Sequence, residues 1–340
     1  MKQDPYDNIA VNTDGSPCLF TEVDGIRVTW ETTGRCDLGC AHCSVDATKN
    51  PCTVDISLDS AKHVLEEAAK AGVTSIYVSG GEPLLWKPVY DTLSYAHDLG
   101  IFTSLATNGK YVNMLTASKL KNAKTGKVLV SVDSHIPELH DDLRGARGSH
   151  EMATRAIKEL SDRDMFVRVG HVIWKNSIDH VEEFADSMLT TGAHEIAYNW
   201  LIPAGRAKNN PDIAIPNERY GEIGGRLREL KTKMADRLTI SYHRFDPMSE
   251  KHDCEGGRKF YQITPEGSLT PCSWIGKMLP EYTTKTSVYS TPLDELMHSD
   301  EIRRFREMID KRHAEFGPGC PAMCIAFNGT HMSRDPIYIG

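Results

Sequence analysis

Residues 26–43 read IRVTWETTGRCDLGCAHC: a β-branched run, Ile26 to Thr32, delivers three cysteines, Cys36, Cys40 and Cys43, in C-x3-C-x2-C spacing. A strand followed by a short loop puts all three thiols at one strand end. Three thiolates can hold three irons of a cubane iron–sulfur cluster, whereas a closed tetrahedral zinc site or an ordinary ferredoxin cluster takes four ligands. One iron is then left open, and an open position is where a metal site binds and activates a further ligand. A partial zinc site and a chance cluster are the alternatives for the triplet alone.

Working outward from this loop, β-branched runs alternate with helix-patterned segments as far as Leu201. The runs are Ile26 to Thr32, Ser75 to Ser79, Ile101 to Ala106, Val128 to Val132, Phe166 to Ile173 and Glu195 to Leu201. Helical patterns fill the gaps near Leu58 to Ala71, Val89 to Leu99, Met114 to Asn122, Glu151 to Arg163 and Val181 to Thr190. Ser57 or Asp59 is the candidate N-cap of the first helix, and Gly72 suits the left-handed position at its end. Such alternation predicts a parallel sheet of crossover units, with the ligand site at the carboxyl ends of the strands. Cys36 follows the first strand, Gly80-Gly81-Glu82-Pro83 the second, Thr107-Asn108-Gly109 the third and Asp133 the fourth, so all of them are expected on one rim.

After Leu201 the alternation is expected to stop. Pro203-Ala204-Gly205-Arg206 reads as a loop, and Asn217 to Asp236 as a charged amphipathic helix. From Ser241 a different module begins: Phe260 to Thr264 and Ser268 to Pro271 flank Pro265-Glu266-Gly267 as a hairpin, between Cys254 and Cys272, with Cys320 and Cys324 downstream of a helix around Leu293 to Asp310.

Length and composition limit the function classes. At 340 residues, two parts are expected. Hydrophobic content of 40% and charged content of 25% are ordinary for a globular protein, and no run nears the roughly 18 apolar residues of a membrane span. Net charge is -8, from 39 Lys and Arg against 47 Asp and Glu, which gives no field for nucleic acid. The start, Met1-Lys2-Gln3-Asp4-Pro5, lacks an apolar export segment, so a cytoplasmic location is expected. Nine cysteines in a reducing compartment favour metal ligation over disulfides. The first strand begins early, so no folded N-terminal accessory domain is expected.

Taken together, Cys36-x3-Cys40-x2-Cys43, Gly80-Gly81-Glu82-Pro83, Thr107-Asn108-Gly109 and Ser131-Val132-Asp133 resemble the radical S-adenosylmethionine (radical SAM) superfamily in order, spacing and context. The resemblance implies an α/β fold: a partial (β/α)6 TIM-like radical SAM barrel over 26–201. An N-terminal extension (1–25) would precede it. A linker with a helix (202–240) and a small C-terminal α+β twitch/SPASM-like module (241–340) would follow. It implies that Cys36, Cys40 and Cys43 bind a 4Fe-4S cluster whose fourth iron takes S-adenosylmethionine. One-electron cleavage, fed by a donor such as flavodoxin or ferredoxin, would then give a 5′-deoxyadenosyl radical.

On the same reading the Gly80-Gly81-Glu82-Pro83 turn belongs to the cofactor site, with Gly80 and Gly81 letting backbone carbonyls approach the methionyl ammonium and Glu82 fixing the turn and charge, while Ser131, Asp133 and Arg144 lie near the ribose and carboxylate. Asn108 sits on the floor of the site. The bland alternatives are a plain turn, caps and surface residues. His42 stands where the family usually has Tyr, Phe or Trp; it is expected beside adenine, able to hydrogen-bond near sulfur, or else exposed. Cys254, Cys272, Cys320 and Cys324 resemble a single-cluster twitch module, with a four-cysteine zinc ribbon as the alternative. Cys18 and Cys52 are either inert packing residues or hydrogen-atom donors of the kind found in radical epimerases. His171, Tyr198 and Trp200 are candidates for the pocket, with core packing the plainer role. The implied substrate is a ribosomal peptide, to be crosslinked, oxidised or epimerised. A small molecule (a sugar, aminocyclitol or tetrapyrrole) and a non-catalytic iron–sulfur or zinc protein are the alternatives.

Overall fold

The strands pair edge to edge into one nine-stranded sheet, in the order β7-β6-β5-β4-β3-β2-β1-β8-β9. The computed structural model describes residues 25–51, 55–242 and 254–335. Its strands are β1 Ile26–Thr33, β2 Val73–Gly80, β3 Phe102–Thr107, β4 Lys127–Ser131, β5 Val167–Ile173, β6 Glu195–Trp200, β7 Thr239–Tyr242, β8 Phe260–Ile263 and β9 Leu269–Thr270. The helices are α1 Leu58–Lys70, α2 Val89–Asp98, α3 Met114–Asn122, α4 Pro137–Arg144, α5 Ser149–Ser161, α6 Val181–Thr191 and α7 Tyr220–Met234. Beyond these lie α8 Ile275–Met278, α9 Leu293–Met297, α10 Asp300–Phe316 and α11 Pro321–Asn328.

Every neighbouring pair from β7 to β8 is parallel, and only β8 and β9 run antiparallel. Among the described residues no strand closes β7 onto β9, so the barrel is partial and open. The six expected strands are present within a residue or two at each end.

Two features beyond Leu201 differ from expectation. The alternation continues for one more unit: α7 leads into β7, which pairs with β6 from Glu195↔Thr239 to Tyr198↔Tyr242. A boundary at 240/241 therefore cuts a strand. The four-residue β7 was too short to register beside the charged helix before it. The expected hairpin is formed by β8 and β9, yet it is not a separate sheet, because β8 adds in parallel to β1 from Arg27↔Phe260 to Trp30↔Ile263. The C-terminal segment thus sits directly on the strand that launches the cysteine loop. Residues 1–24 and 52–54, with Cys18 and Cys52 and the expected absence of an N-terminal domain, lie outside the described residues.

Local chemistry explains the elements. Ser57 caps α1, its hydroxyl accepting from Ser60 N at 3.1 Å, with Asp59 in the first turn and Gly72 at φ +75° just past the end. Val28, Trp30, Ile76, Val78, Leu105, Val128, Val130, Val167, Val169 and Ile196 are buried along the central strands, as a sheet covered by helices requires. Removing each such side chain from water contributes about 1.5–3 kcal/mol. Trp30 and Trp86 pack edge to face at 6.1 Å, and Trp86 Nε1 donates to Ile56 O at 2.8 Å. This pair anchors the turn after Gly80-Gly81-Glu82-Pro83 to β1.

Candidate active site

The cysteine loop is held by backbone and by arginine. Cys36 N donates to Thr48 O at 2.8 Å, Ala41 N to Leu143 O at 2.8 Å and Cys43 N to Cys40 O at 3.3 Å. From the loop after β6, Arg206 Nε donates to Cys40 O at 2.9 Å and Nη1 to Ala47 O at 2.7 Å, while Arg206 N donates to Cys43 O at 2.9 Å. Asn210 Nδ2 completes the clamp on Ala41 O at 3.1 Å. A Cβ at Gly205 would sit 2.5 Å from Cys43 O, so only glycine lets the clamp approach. The sequence Pro203-Ala204-Gly205-Arg206 reads as an ordinary loop, and nothing in its spacing reveals this role.

Cys36, Cys40 and Cys43 together line a cavity of about 300 Å³ at the carboxyl ends of β1 to β6. Burial pushes the Cys36 thiol up to about 11 and raises that of Cys40, against the pull of Arg144, whose Nη1 lies 3.9 Å from Cys40 Sγ. Coordination reverses this preference, since a bound metal takes the proton's place. Among the described residues no three His, Cys, Asp or Glu side chains converge on a single metal-ion position. A cubane cluster spreads its thiolates wider than one ion does.

Gly80, Gly81, Asn108, Ser131, Arg144 and His42 line the same cavity, as the sequence leads one to expect. The glycines are explained by close approach: a Cβ at Gly80, at φ +124°, would meet Thr33 O at 2.3 Å, and one at Gly81 would meet Arg35 O at 2.1 Å.

Glu82, Pro83 and Asp133 stand behind the wall, Glu82 in the turn-fixing role its sequence context suggests. Glu82 is fully buried, with Oε1 accepting from Leu84 N at 3.1 Å and Thr107 Oγ1 at 2.9 Å, and Oε2 from Asn108 N at 2.8 Å. It fixes the turn onto β3, and burial pushes its carboxyl up to about 7. Pro83 starts the short 3-10 turn that follows.

Asp133 is fully buried too. Its Oδ2 accepts from Arg144 Nε at 2.7 Å and its Oδ1 from Val172 N at 2.9 Å. Both oxygens are used by the protein, so Asp133 aims Arg144 into the cavity rather than facing it. Burial alone would drive its carboxyl up; Arg144, with His42 next, outweighs that and holds it well below the usual range. His42 is buried, not exposed, with Nε2 3.5 Å from Asp133 Oδ2. Desolvation pushes its imidazole down to about 4, so it is neutral at pH 7.

His171 and Tyr198 belong to the core. The His171 ring nitrogens lie 3.2 Å from Val132 O and 3.3 Å from Ser177 Oγ, and Tyr198 OH donates to Val181 O at 2.7 Å. Trp200 does line the cavity. Residues missed from sequence include Asp37, which ties the cysteine loop to the end of β3 through Lys110 Nζ at 2.5 Å and Tyr111 OH at 3.0 Å.

A second cavity of about 470 Å³ adjoins the first, sharing Val45, Ala47, Gly80 and Gly81 with it. The β8–β9 hairpin and α8 supply its far wall, and buried Glu31 of β1 lies within it. The signal for Glu31 was available: an ionisable side chain in a central strand of a covered parallel sheet.

The four later cysteines surround the hairpin and α11. Cys254, Cys272 and Cys324 are buried. Ile275 N donates to Cys272 Sγ at 3.4 Å. Buried Arg312 donates through Nη2 to Cys324 Sγ at 3.3 Å, and Cys320 N to Asp335 Oδ2 at 2.7 Å. N–H groups aimed at sulfur suit thiolates.

The Radical SAM superfamily model matches residues 30–188, from β1 into α6, the span that carries the cysteine loop and most of the cavity's lining. Residues 30–188 belong to that superfamily. The protein is an enzyme that uses S-adenosylmethionine with a 4Fe-4S cluster. The AdoMet-dependent heme synthase of Methanosarcina barkeri is 24% identical to it over 345 residues, covering 92% of this chain and 95% of that protein. The antilisterial bacteriocin subtilosin biosynthesis protein AlbA of Bacillus subtilis is 26% identical over 305 residues, covering 87% and 66% respectively. In fold, the crystal structure of Streptococcus suis SuiB bound to S-adenosylmethionine matches with a TM-score of 0.74 at 17% identity, over 93% of this chain and 77% of that one. SuiB has also been crystallised bound to precursor peptide SuiA.

The donor set of this radical SAM enzyme fits the cluster and its ligand. Three thiols on one clamped loop face a cavity with a guanidinium at one side, glycine backbone at another and a polar floor at Asn108 and Ser131. Among the described residues no helix is long and apolar enough to cross a membrane.

Proposed function

We propose that this radical SAM enzyme modifies a peptide. In this reading Cys36, Cys40 and Cys43 hold the cluster, and Gly80, Gly81, Asn108, Ser131 and Arg144 hold S-adenosylmethionine in the adjoining cavity. Cys254, Cys272, Cys320 and Cys324 hold a second 4Fe-4S cluster in a twitch-like module. When bound, the cluster and S-adenosylmethionine supply the 5′-deoxyadenosyl radical that takes a substrate hydrogen. The chain's own part is positional. Arg206 and Asn210 fix the loop, Asp133 fixes Arg144, and Arg144 offers a guanidinium to a carboxylate in a site sheltered from water.

One observation carries the choice of substrate. The second cavity is rich in hydroxyls and amides, such as Thr33, Thr48, Asn50, Gln262 and Ser273, and its charged residues are Glu31, Asp46 and Glu266 against Lys277. Hydroxyls and amides match peptide groups, whereas an acidic chamber repels the ionised carboxylates of a tetrapyrrole. The names of AlbA and of SuiB's peptide complex support the same reading. The near full-length likeness to a heme synthase favours the tetrapyrrole alternative. A small flavin or iron–sulfur protein is the electron donor in either case.

The test is to give reduced, reconstituted enzyme and S-adenosylmethionine either the small-peptide fraction of the source cell or iron-coproporphyrin, and to follow 5′-deoxyadenosine and substrate mass. Stimulation by a peptide that loses hydrogen is expected. Stimulation by the macrocycle alone overturns the peptide reading.

A further inference from the structure

Glu31 is an unusual side chain for the middle of a sheet. It lies on β1 opposite Ser79 of β2, is only 5% exposed, and projects into the 470 Å³ chamber. Gln262 Nε2 of β8 donates to Glu31 Oε1, and Gln262 is itself steered by Thr270, whose hydroxyl lies 3.4 Å from Gln262 Oε1 and donates to Cys272 O at 3.0 Å. Among the described residues no donor is recorded on the second oxygen, Oε2, and no cation forms an ion pair with Glu31. A buried carboxyl without a cationic partner is costly unless something completes it.

The surroundings state what would complete it. Asp46 on the cysteine loop and Glu266 on the hairpin add negative charge at the chamber's exposed edge, and Lys277 of α8 is the single cation among its described lining residues. Arg35, beyond Thr33, is already paired with Asp55 at 3.0 Å. Lys277 is exposed and forms no ion pair among the described residues. Complementarity therefore asks for a positive charge entering with the ligand.

We propose that this chamber is a subsite for a protonated amine or guanidinium of the substrate, with Glu31 as the carboxyl that receives it beside the S-adenosylmethionine cavity. The assignment rests on the substrate reading above, and it narrows that substrate to one carrying a cationic nitrogen within reach of the reacting position. Glu31 is here a specificity residue.

Burial is the largest influence on the Glu31 carboxyl and pushes it up to about 7, opposed by Lys277, reinforced by Glu266 and opposed again by Gln262. A cation gains from the ionised form alone, so affinity rises with pH through this range and binding releases a proton on its acid side. No histidine is among the chamber's described lining residues. Glu82 titrates in the same range, but all its recorded hydrogen bonds run to its own turn and to the end of β3.

The experiment is calorimetry on the reconstituted holoenzyme with S-adenosylmethionine, at pH 6 and pH 8 and in two buffers of different protonation heat. The probes are N-acetyl-lysine methylamide, N-acetyl-arginine methylamide and neutral N-acetyl-norleucine methylamide. A carboxyl centred near 7 goes from about one-tenth to about nine-tenths ionised over this interval, so the cationic probes should bind about tenfold tighter at pH 8. They should also release close to one proton at pH 6. Norleucine should show neither effect.

Glu31→Gln, which keeps the shape of the protonated group, should abolish the pH rise and the proton release. Glu31→Asp should restore the release with weaker affinity. Equal binding of norleucine and the cationic probes, no binding of either cation, or a pH rise that survives in Glu31→Gln overturns the assignment. Preference for lysine over arginine, or the reverse, tells amine from guanidinium within it. If wild-type enzyme forms 5′-deoxyadenosine with a peptide lacking basic residues, this subsite fails while the peptide reading stands.

Discussion

Cys40→Ala should abolish reductive cleavage of S-adenosylmethionine while leaving the rest of the molecule assembled. Cys40 is the middle thiol of the loop, buried, with Arg144 Nη1 at 3.9 Å, and its carbonyl is the acceptor for Arg206. The substitution removes only sulfur: the backbone bonds from Cys43 N and from Arg206 do not involve the side chain. Two thiolates cannot hold a cubane that needs three, so the defect is one of ligation and not of folding. The variant should lose the iron proposed for this loop, keep any that the four later cysteines hold in the proposed module, and form no 5′-deoxyadenosine above a protein-free control. Iron analysis and product chromatography on anaerobically reconstituted protein check it. A variant that keeps wild-type yield would show that another residue completes the ligand set.

The largest effect on stability is expected at Gly81. An added Cβ would stand 2.1 Å from Arg35 O, 2.5 Å from Arg35 C and 3.0 Å from Cys36 N, all backbone atoms that cannot swing aside. Gly81→Ala must therefore part the end of β2 from the start of the cysteine loop, straining the 2.8 Å bond from Glu82 N to Arg35 O. Overpacking of about 1–3 kcal/mol and a lost hydrogen bond of about 1 kcal/mol together predict a loss near 3 kcal/mol. Because the displaced atoms lead directly into Cys36, iron retention should fall as well. Gly221→Ala is the matched control: it lies in α7 with nothing within 4 Å of its Cβ position, and should stabilise by about 0.5–1 kcal/mol. Thermal unfolding of both variants checks the pair, and a Gly81→Ala protein that melts with the wild type would contradict the close approach.

What the sequence revealed and what it hid follow from the range of the interactions. The cysteine triplet, the glycine turn, Asn108 and Ser131 are legible because each is local: a motif sits immediately after a strand, and parallel strands gather their carboxyl ends on one rim. Asp133 and Glu82 carry the right chemistry at the right positions, yet which way they face is decided by partners 11 and 25 residues away, Arg144 and Thr107. The Arg206 clamp joins residues 166 positions apart, and the Gln262 to Glu31 bond joins residues 231 apart, which no spacing rule reaches. β7 was missed because four residues give too little periodicity. The pairing of β8 with β1 was missed because strand order between distant segments is a tertiary fact.

The central claim is that the loop of Cys36, Cys40 and Cys43 holds a cubane with one iron open to S-adenosylmethionine. The most direct measurement is electron paramagnetic resonance of the anaerobically reduced protein, in a variant with Cys254, Cys272, Cys320 and Cys324 replaced by alanine, before and after adding S-adenosylmethionine. A reduced 4Fe-4S signal that changes on addition of the ligand is the predicted result. No cubane signal, or one that the ligand leaves unaltered, would contradict the claim.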